Sequence, residues 1–359
     1  MHDLSGSEIE KAVNMEKKKL WIYIAIAYGV AALMSIAMFV GFGKEYDVTL
    51  FVNVQMMYPA CGVIIGKMIT KRDDEKLPVA GFITVLVTTA LMMLTALASV
   101  LFHIKPLEVA GQTIDIWNLI SQMPLMAGSV LTYILFWTCG REKRENAGLE
   151  RKNIKVSIIM IAVFVILLVA RCMIAVFLVD SSSQSDEQLR AVSEVVSNPL
   201  TWVSLAVLPV NFVFAFIAFF GEEYGWRYYL QPLMQRRFGR RAGVLLLGIV
   251  WAVWHINVDF MYYAEGYGLQ AFVCQIITCV TMAVFFGYAY MKTGNIMVPI
   301  IMHYLNNNIV AIIGGGGSDA LTGQVITWKE VPVMAVSYLI FFLFILAPIY
   351  KKEPVSEAE

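Results

Sequence analysis

The stretch Leu200–Arg227, LTWVSLAVLPVNFVFAFIAFFGEEYGWR, begins with 22 uncharged residues and ends with Glu222, Glu223 and Arg227 inside six positions. An α-helix rises 1.5 Å per residue, so about 20 apolar residues cross roughly 30 Å of hydrocarbon. The run therefore reads as a transmembrane helix. An ionisable side chain at the bilayer centre costs about 2.5–3.5 kcal/mol on insertion scales, so three together mark a pathway or a reaction site unless they reach the headgroups.

Working outward, similar runs recur at about Leu20–Gly43, Leu50–Thr70, Leu77–Phe102, Leu119–Cys139, Val156–Val179, Val244–Val258, Leu269–Met291, Ile296–Ile313 and Val331–Tyr350. With Leu200–Phe220 they make ten candidate spans. The expected fold is an all-α, multi-pass helix bundle with both termini cytoplasmic. Composition agrees: 59% of residues are hydrophobic, 15% are charged and the mean hydropathy is +0.68.

Basic residues favour cytoplasmic loops, and the ten-span reading puts 20 of the 27 Lys and Arg on one side. Lys44, Lys105, Arg190 and Lys329 fall in outer loops, and Lys67, Arg171 and Arg227 fall within or beside spans. The first 19 residues are polar and charged and precede no small-residue cleavage site, so the first span reads as a retained anchor. The expected location is an integral, multi-pass protein of the cell membrane. Its expected partners are the lipid bilayer and a peptide or protein substrate. A net charge of zero argues against nucleic acid.

The chain divides into an N-terminal cytoplasmic segment (1–19), accessory helices (20–199), a polar-residue-bearing core (200–313), an outer loop with the last helix (314–350) and a cytoplasmic tail (351–359). Asp180–Pro199 has room for a short surface helix, and Gly314–Gly317 reads as a flexible connector. The five cysteines are odd in number and lack paired spacing, so they read as packing residues. Arg171 is the one conspicuous charge of the first five spans.

On a helix Glu223 and Arg227 stand at i and i+4 with the acid first, the favourable order for an ion pair, while Glu222 points about 100° away. That assigns Glu223 and Arg227 to the scaffold and frees Glu222 to accept a proton. His255, in Trp251-Ala-Val-Trp-His255-Ile-Asn-Val-Asp259, is either a hydrogen-bonded packing residue or a catalyst whose tautomer Asp259 could fix. His303 and Asn307, again i and i+4, offer two donors suited to an oxyanion, or alternatively interhelical hydrogen bonds.

Together these residues supply a base, a water-orienting group and oxyanion donors. No HExxH helix, no Gly-x-Ser nucleophile near a suitable His and no aspartate pair inside the spans competes with them. A transporter using the glutamates as proton carriers, or an immunity or scaffold protein, is the rival class. The absence of internal repeats and the His/Asn turn weigh against transport.

The motifs resemble those of the CAAX prenyl protease and bacteriocin-processing (CPBP, or Abi) family of intramembrane glutamic endopeptidases. Its EExxxR pattern resembles Glu222, Glu223 and Arg227, and its HxxxN pattern resembles His303 and Asn307. Its FxxxH pattern is met in His255, with Trp251 in place of phenylalanine, a change expected to keep a packing role. The resemblance covers Leu200–Ile313. It implies that Glu222 and His255 activate the lytic water and that His303 with Asn307 stabilises the oxyanion. No cofactor is expected. Zinc is the alternative, because two histidines and a carboxylate match some catalytic zinc sites, although Asn307 is a poor zinc ligand.

Overall fold

The computed structural model describes residues 6–109, 112–179, 185–314 and 322–351. Helix α1 (Val13–Phe42) is followed by α2 (Thr49–Ile69), α3 (Val79–Leu101), the three-residue strands β1 (Leu107–Val109) and β2 (Gln112–Ile114), and α4 (Ile116–Thr138). Next come α5 (Ile154–Leu178), α6 (Ser185–Ser197) and the 40-residue α7 (Pro199–Phe238). A bent pair, α8 (Arg240–Trp254) and α9 (Ile256–Tyr263), precedes α10 (Gly268–Thr293), α11 (Met297–Ile313) and α12 (Glu330–Leu346). The protein is an all-α membrane protein, and its one antiparallel strand pair is a loop feature.

Each of the ten apolar runs forms helix. Among the described residues, seven helices are long and apolar enough to cross a membrane, or eight if α8 and α9 count as one span. The ten-crossing count therefore rests on α11 and α12, which are shorter. The 17 residues of α11 extend about 25 Å, less than the hydrocarbon thickness. The side of the membrane on which the termini lie stays an expectation, and residues 352–359 of the expected tail lie outside the described residues. So do Gly315–Gly317 of the expected connector. The surface helix allowed for in Asp180–Pro199 is α6.

Apolar side chains cover the outside of the bundle: Trp21, Leu33, Leu101, Met123, Ile166 and Leu200 are each exposed by more than 60%. Lipid is the solvent that tolerates such a surface. Inside, α7 packs against α2, α4 and α11, while α10 packs against α8, α11 and α12. Phe164 of α5 meets Phe285 and Phe286 of α10 and Phe341 of α12, closing the second half of the bundle.

Local chemistry explains how α7 carries its charges inward. Asn198 caps its start by accepting from the Leu200 amide at 3.0 Å, with Pro199 in the first turn. The helix does not stop after Phe220. It widens into a π-turn over Tyr224–Leu230 and runs on to Phe238, so Tyr228–Phe238 is its continuation. In that wide turn the Gln231 amide reaches the Trp226 carbonyl, which loosens the ladder just ahead of Pro232. Gly221 and Gly225 let α7 approach α2 closely. A Cβ at Gly221 would lie 2.3 Å from the Met56 carbonyl oxygen, and one at Gly225 would lie 2.2 Å from Pro59 Cβ.

Candidate active site

Glu222 sits 24 residues beyond the Asn198 cap of α7 and is only 2% exposed; Glu223 beside it is fully buried. Their environments differ. Glu222 Oε2 accepts from the indole nitrogens of Trp251 at 2.8 Å and Trp226 at 3.3 Å. Its Oε1 has no partner among the described residues, and the side chain lines a cavity of about 300 Å³.

Glu223 is held from two sides. Its Oε1 accepts from His303 Nδ1 at 2.8 Å, and its Oε2 lies 3.2 Å from Arg227 Nε. Arg227 is fully buried, and its guanidinium carbon lies 4.3 Å from the centre of the Trp251 ring and 5.3 Å from that of Phe286. A buried cation needs such partners, since desolvating an unpaired charge costs several kcal/mol. Sequence reasoning placed Glu223 with Arg227 and missed that the same carboxylate also holds His303.

His255 closes α8, where the helix axis turns by 43° into α9. At that end its amide bonds to the Ala252 carbonyl at 2.9 Å rather than to the Trp251 carbonyl. The Trp251 carbonyl, left without its usual helical donor, accepts instead from His255 Nδ1 at 2.9 Å. A carbonyl can only accept, so Nδ1 carries the proton and Nε2 of the neutral ring keeps its lone pair.

This corrects the expectation that Asp259 could fix the His255 tautomer. Asp259 lies past the bend, and both its carboxylate oxygens are buried without a hydrogen-bond partner. Trp251 keeps the packing role expected of it and adds to it: its indole edge bonds Glu222 while its face covers Arg227. Phenylalanine could supply the face but not the donor.

His303 and Asn307 reach the same cavity from α11. Because a carboxylate only accepts, His303 Nδ1 donates to Glu223 and its Nε2 remains for other work. Asn306, which sequence reasoning did not single out, donates from Nδ2 to Asn307 Oδ1 at 3.1 Å. That contact occupies the Asn307 oxygen and leaves its Nδ2 as a donor. A repeated asparagine, Asn306-Asn307-Asn308, is the only trace of this in the sequence.

Glu222, His255, His303 and Asn307, from three separate helices, thus line one cavity, closed on other sides by residues such as Gln55, Cys279, Met282 and Phe286. A catalytic zinc site needs three converging protein ligands. Among the described residues no group of three His, Cys, Asp or Glu side chains could hold a metal ion.

Comparison with known proteins bears on this same region. Residues 203–309 match the family described as type II CAAX prenyl endopeptidase Rce1-like. The chain is similar to a protein named CAAX prenyl protease 2 from Methanococcus maripaludis, with 30% identity over 110 residues. That alignment covers 28% of this chain and 39% of the relative, so the similarity spans well under half of either protein. No solved structure matches the chain. All the motif residues gathered around the cavity, from Glu222 to Asn307, lie inside the matched segment, and that segment supports a place for the chain in the CAAX protease (CPBP) family.

Proposed function

We propose that this protein is an intramembrane endopeptidase that hydrolyses a peptide bond of a membrane-associated peptide or protein. The observation that carries the reading is the division of labour between two adjacent acids. Glu223 is engaged by His303 and Arg227, whereas Glu222 keeps one oxygen free toward a cavity that also takes His255 and Asn307.

In the proposed reaction a water held between Glu222 Oε1 and His255 Nε2 attacks the scissile carbonyl carbon. Glu222 takes the water's proton, and the new C–O bond gives a tetrahedral intermediate. Asn307 Nδ2 and His303 Nε2 donate to its oxyanion. His303 can donate there only when both ring nitrogens are protonated, a state that the Glu223 carboxylate accepting from Nδ1 favours. Collapse of the intermediate breaks the C–N bond, and the leaving nitrogen receives the proton from Glu222. No step is routed through a metal.

The experiment is a comparison of membrane and secreted peptides from cells carrying the wild type or Glu222→Gln. Peptides present only with the wild type would support the reading and identify the substrate. Identical peptide sets, together with solute uptake that depends on Glu222, would replace it with a transporter. Stoichiometric zinc in the purified protein, with loss of cleavage on chelation, would replace the metal-free chemistry. The relative's name directs the first search to lipid-modified C-terminal peptides.

A further inference from the structure

Arg171 is a charge that the proposed reaction leaves unused. It belongs to α5, outside the matched segment 203–309, and is 6% exposed. An ionisable residue buried in a membrane bundle normally has a partner or a function. Arg171 has no ion pair among the described residues. Its guanidinium meets Cys172 Sγ at 3.4 Å and lies 4.5 Å from the centre of the Tyr338 ring, and its Nε is buried without a hydrogen-bond partner.

This guanidinium lines the same cavity of about 300 Å³ as Glu222, His255, His303 and Asn307. The acid of that cavity not used in catalysis, Asp259, makes no ion pair with it, and both oxygens of Asp259 are also without partners. A cation tuned only for folding would have been joined to such an acid, as Arg227 is joined to Glu223. Among the described residues no anion answers this cation, and an anion entering the cavity would do so. A planar guanidinium with free N–H groups matches a carboxylate in two parallel hydrogen bonds.

Resting on the peptidase reading, we propose that Arg171 binds a carboxylate of the substrate peptide, so that the site cuts at a set short distance from that carboxylate. The cavity is at the small end of ligand clefts, roughly 300–1,000 Å³. It suits a short piece of peptide between the anchored carboxylate and the scissile bond. Two sources share this chemistry: the C-terminal carboxylate, and an Asp or Glu side chain near the cut.

The test uses the full-length protein in vesicles of phosphatidylethanolamine and phosphatidylglycerol, with three synthetic mixtures of randomised apolar peptides of one length. One mixture ends in a free acid, one in an amide, and one is amidated with a single internal Glu. Products are sequenced by mass spectrometry and rates compared as kcat/KM. The wild type is expected to cleave one of the two carboxylate-bearing mixtures at least about tenfold faster than the neutral one, the loss typical of a charge-assisted hydrogen bond. Cuts should fall at a constant distance from the carboxylate.

Which mixture is favoured identifies the source. Arg171→Met should erase the preference through KM, and Arg171→Lys should restore part of it. Equal cleavage of all three mixtures by the wild type overturns this proposal and leaves the peptidase reading standing. A preference that survives Arg171→Met overturns it as well. Should the wild type cleave none of the mixtures, the peptidase reading falls and takes this proposal with it. If Arg171→Met does not fold, the wild-type comparison and Arg171→Lys still decide.

Discussion

The Trp251 indole nitrogen lies 2.8 Å from Glu222 Oε2, and the face of the same ring covers the Arg227 guanidinium. One side chain therefore joins the free acid of the proposed site to the cation that holds the other acid. Trp251→Phe should keep the face and lose the donor. A hydrogen bond to a charged group contributes about 1.5–3 kcal/mol, so kcat should fall at least about tenfold with little change in thermal stability. Unchanged kcat would remove Trp251 from the account.

Glu223→Gln should be a folding defect before it is a catalytic one. It leaves Arg227, fully buried, without its counter-ion, and breaking a buried pair costs about 3–5 kcal/mol. Among the described residues Glu222 has no cationic partner, so Glu222→Gln should unfold at close to the wild-type temperature. Thermal unfolding of the two variants in the same detergent compares them. Equal stability would mean that the two acids are not divided as described.

How much of this was open to reading beforehand differs from residue to residue. Periodicity and length were enough to find each apolar helix, because crossing a bilayer imposes about 20 uncharged residues whatever the tertiary packing. The i, i+4 pairing of Glu223 with Arg227 is equally local. The contact of Glu223 with His303 spans 80 positions, and nothing in either motif alone implies it. His255 shows the other limit. Its partner is a backbone carbonyl released by a helix end, which side-chain spacing cannot reveal, so attention went to Asp259. Pro232 stands inside α7 just past the π-turn over Tyr224–Leu230, and the helix continues through it.

Asn306→Ala and Asn307→Ala should separate orientation from contact. Asn307 is proposed to touch the oxyanion, and loss of such a donor costs about 100- to 1,000-fold in kcat. Asn306 hydrogen-bonds Asn307 at 3.1 Å, and its removal should cost about tenfold. Initial-rate kinetics on one peptide substrate distinguish them. A larger loss at Asn306 than at Asn307 would reverse the assignment.

Gly221→Ala should lower the yield of folded protein, since its Cβ would lie 2.3 Å from the Met56 carbonyl oxygen. Gly29→Ala is the matched control, because nothing lies within 4 Å of a Cβ there. Folded protein recovered from membranes by size-exclusion chromatography should fall for the first and hold for the second. Equal recovery would show that α7 does not depend on its close approach to α2.

The central claim is that Glu222 activates the water. Its most direct test is the single-turnover cleavage rate of one peptide substrate by reconstituted Glu222→Gln, measured beside the wild type and with matched thermal unfolding. The account predicts a folded variant whose rate is at the uncatalysed background, a loss of at least about 100-fold for a missing general base. A folded Glu222→Gln protein that cleaves within a few-fold of the wild type would contradict it.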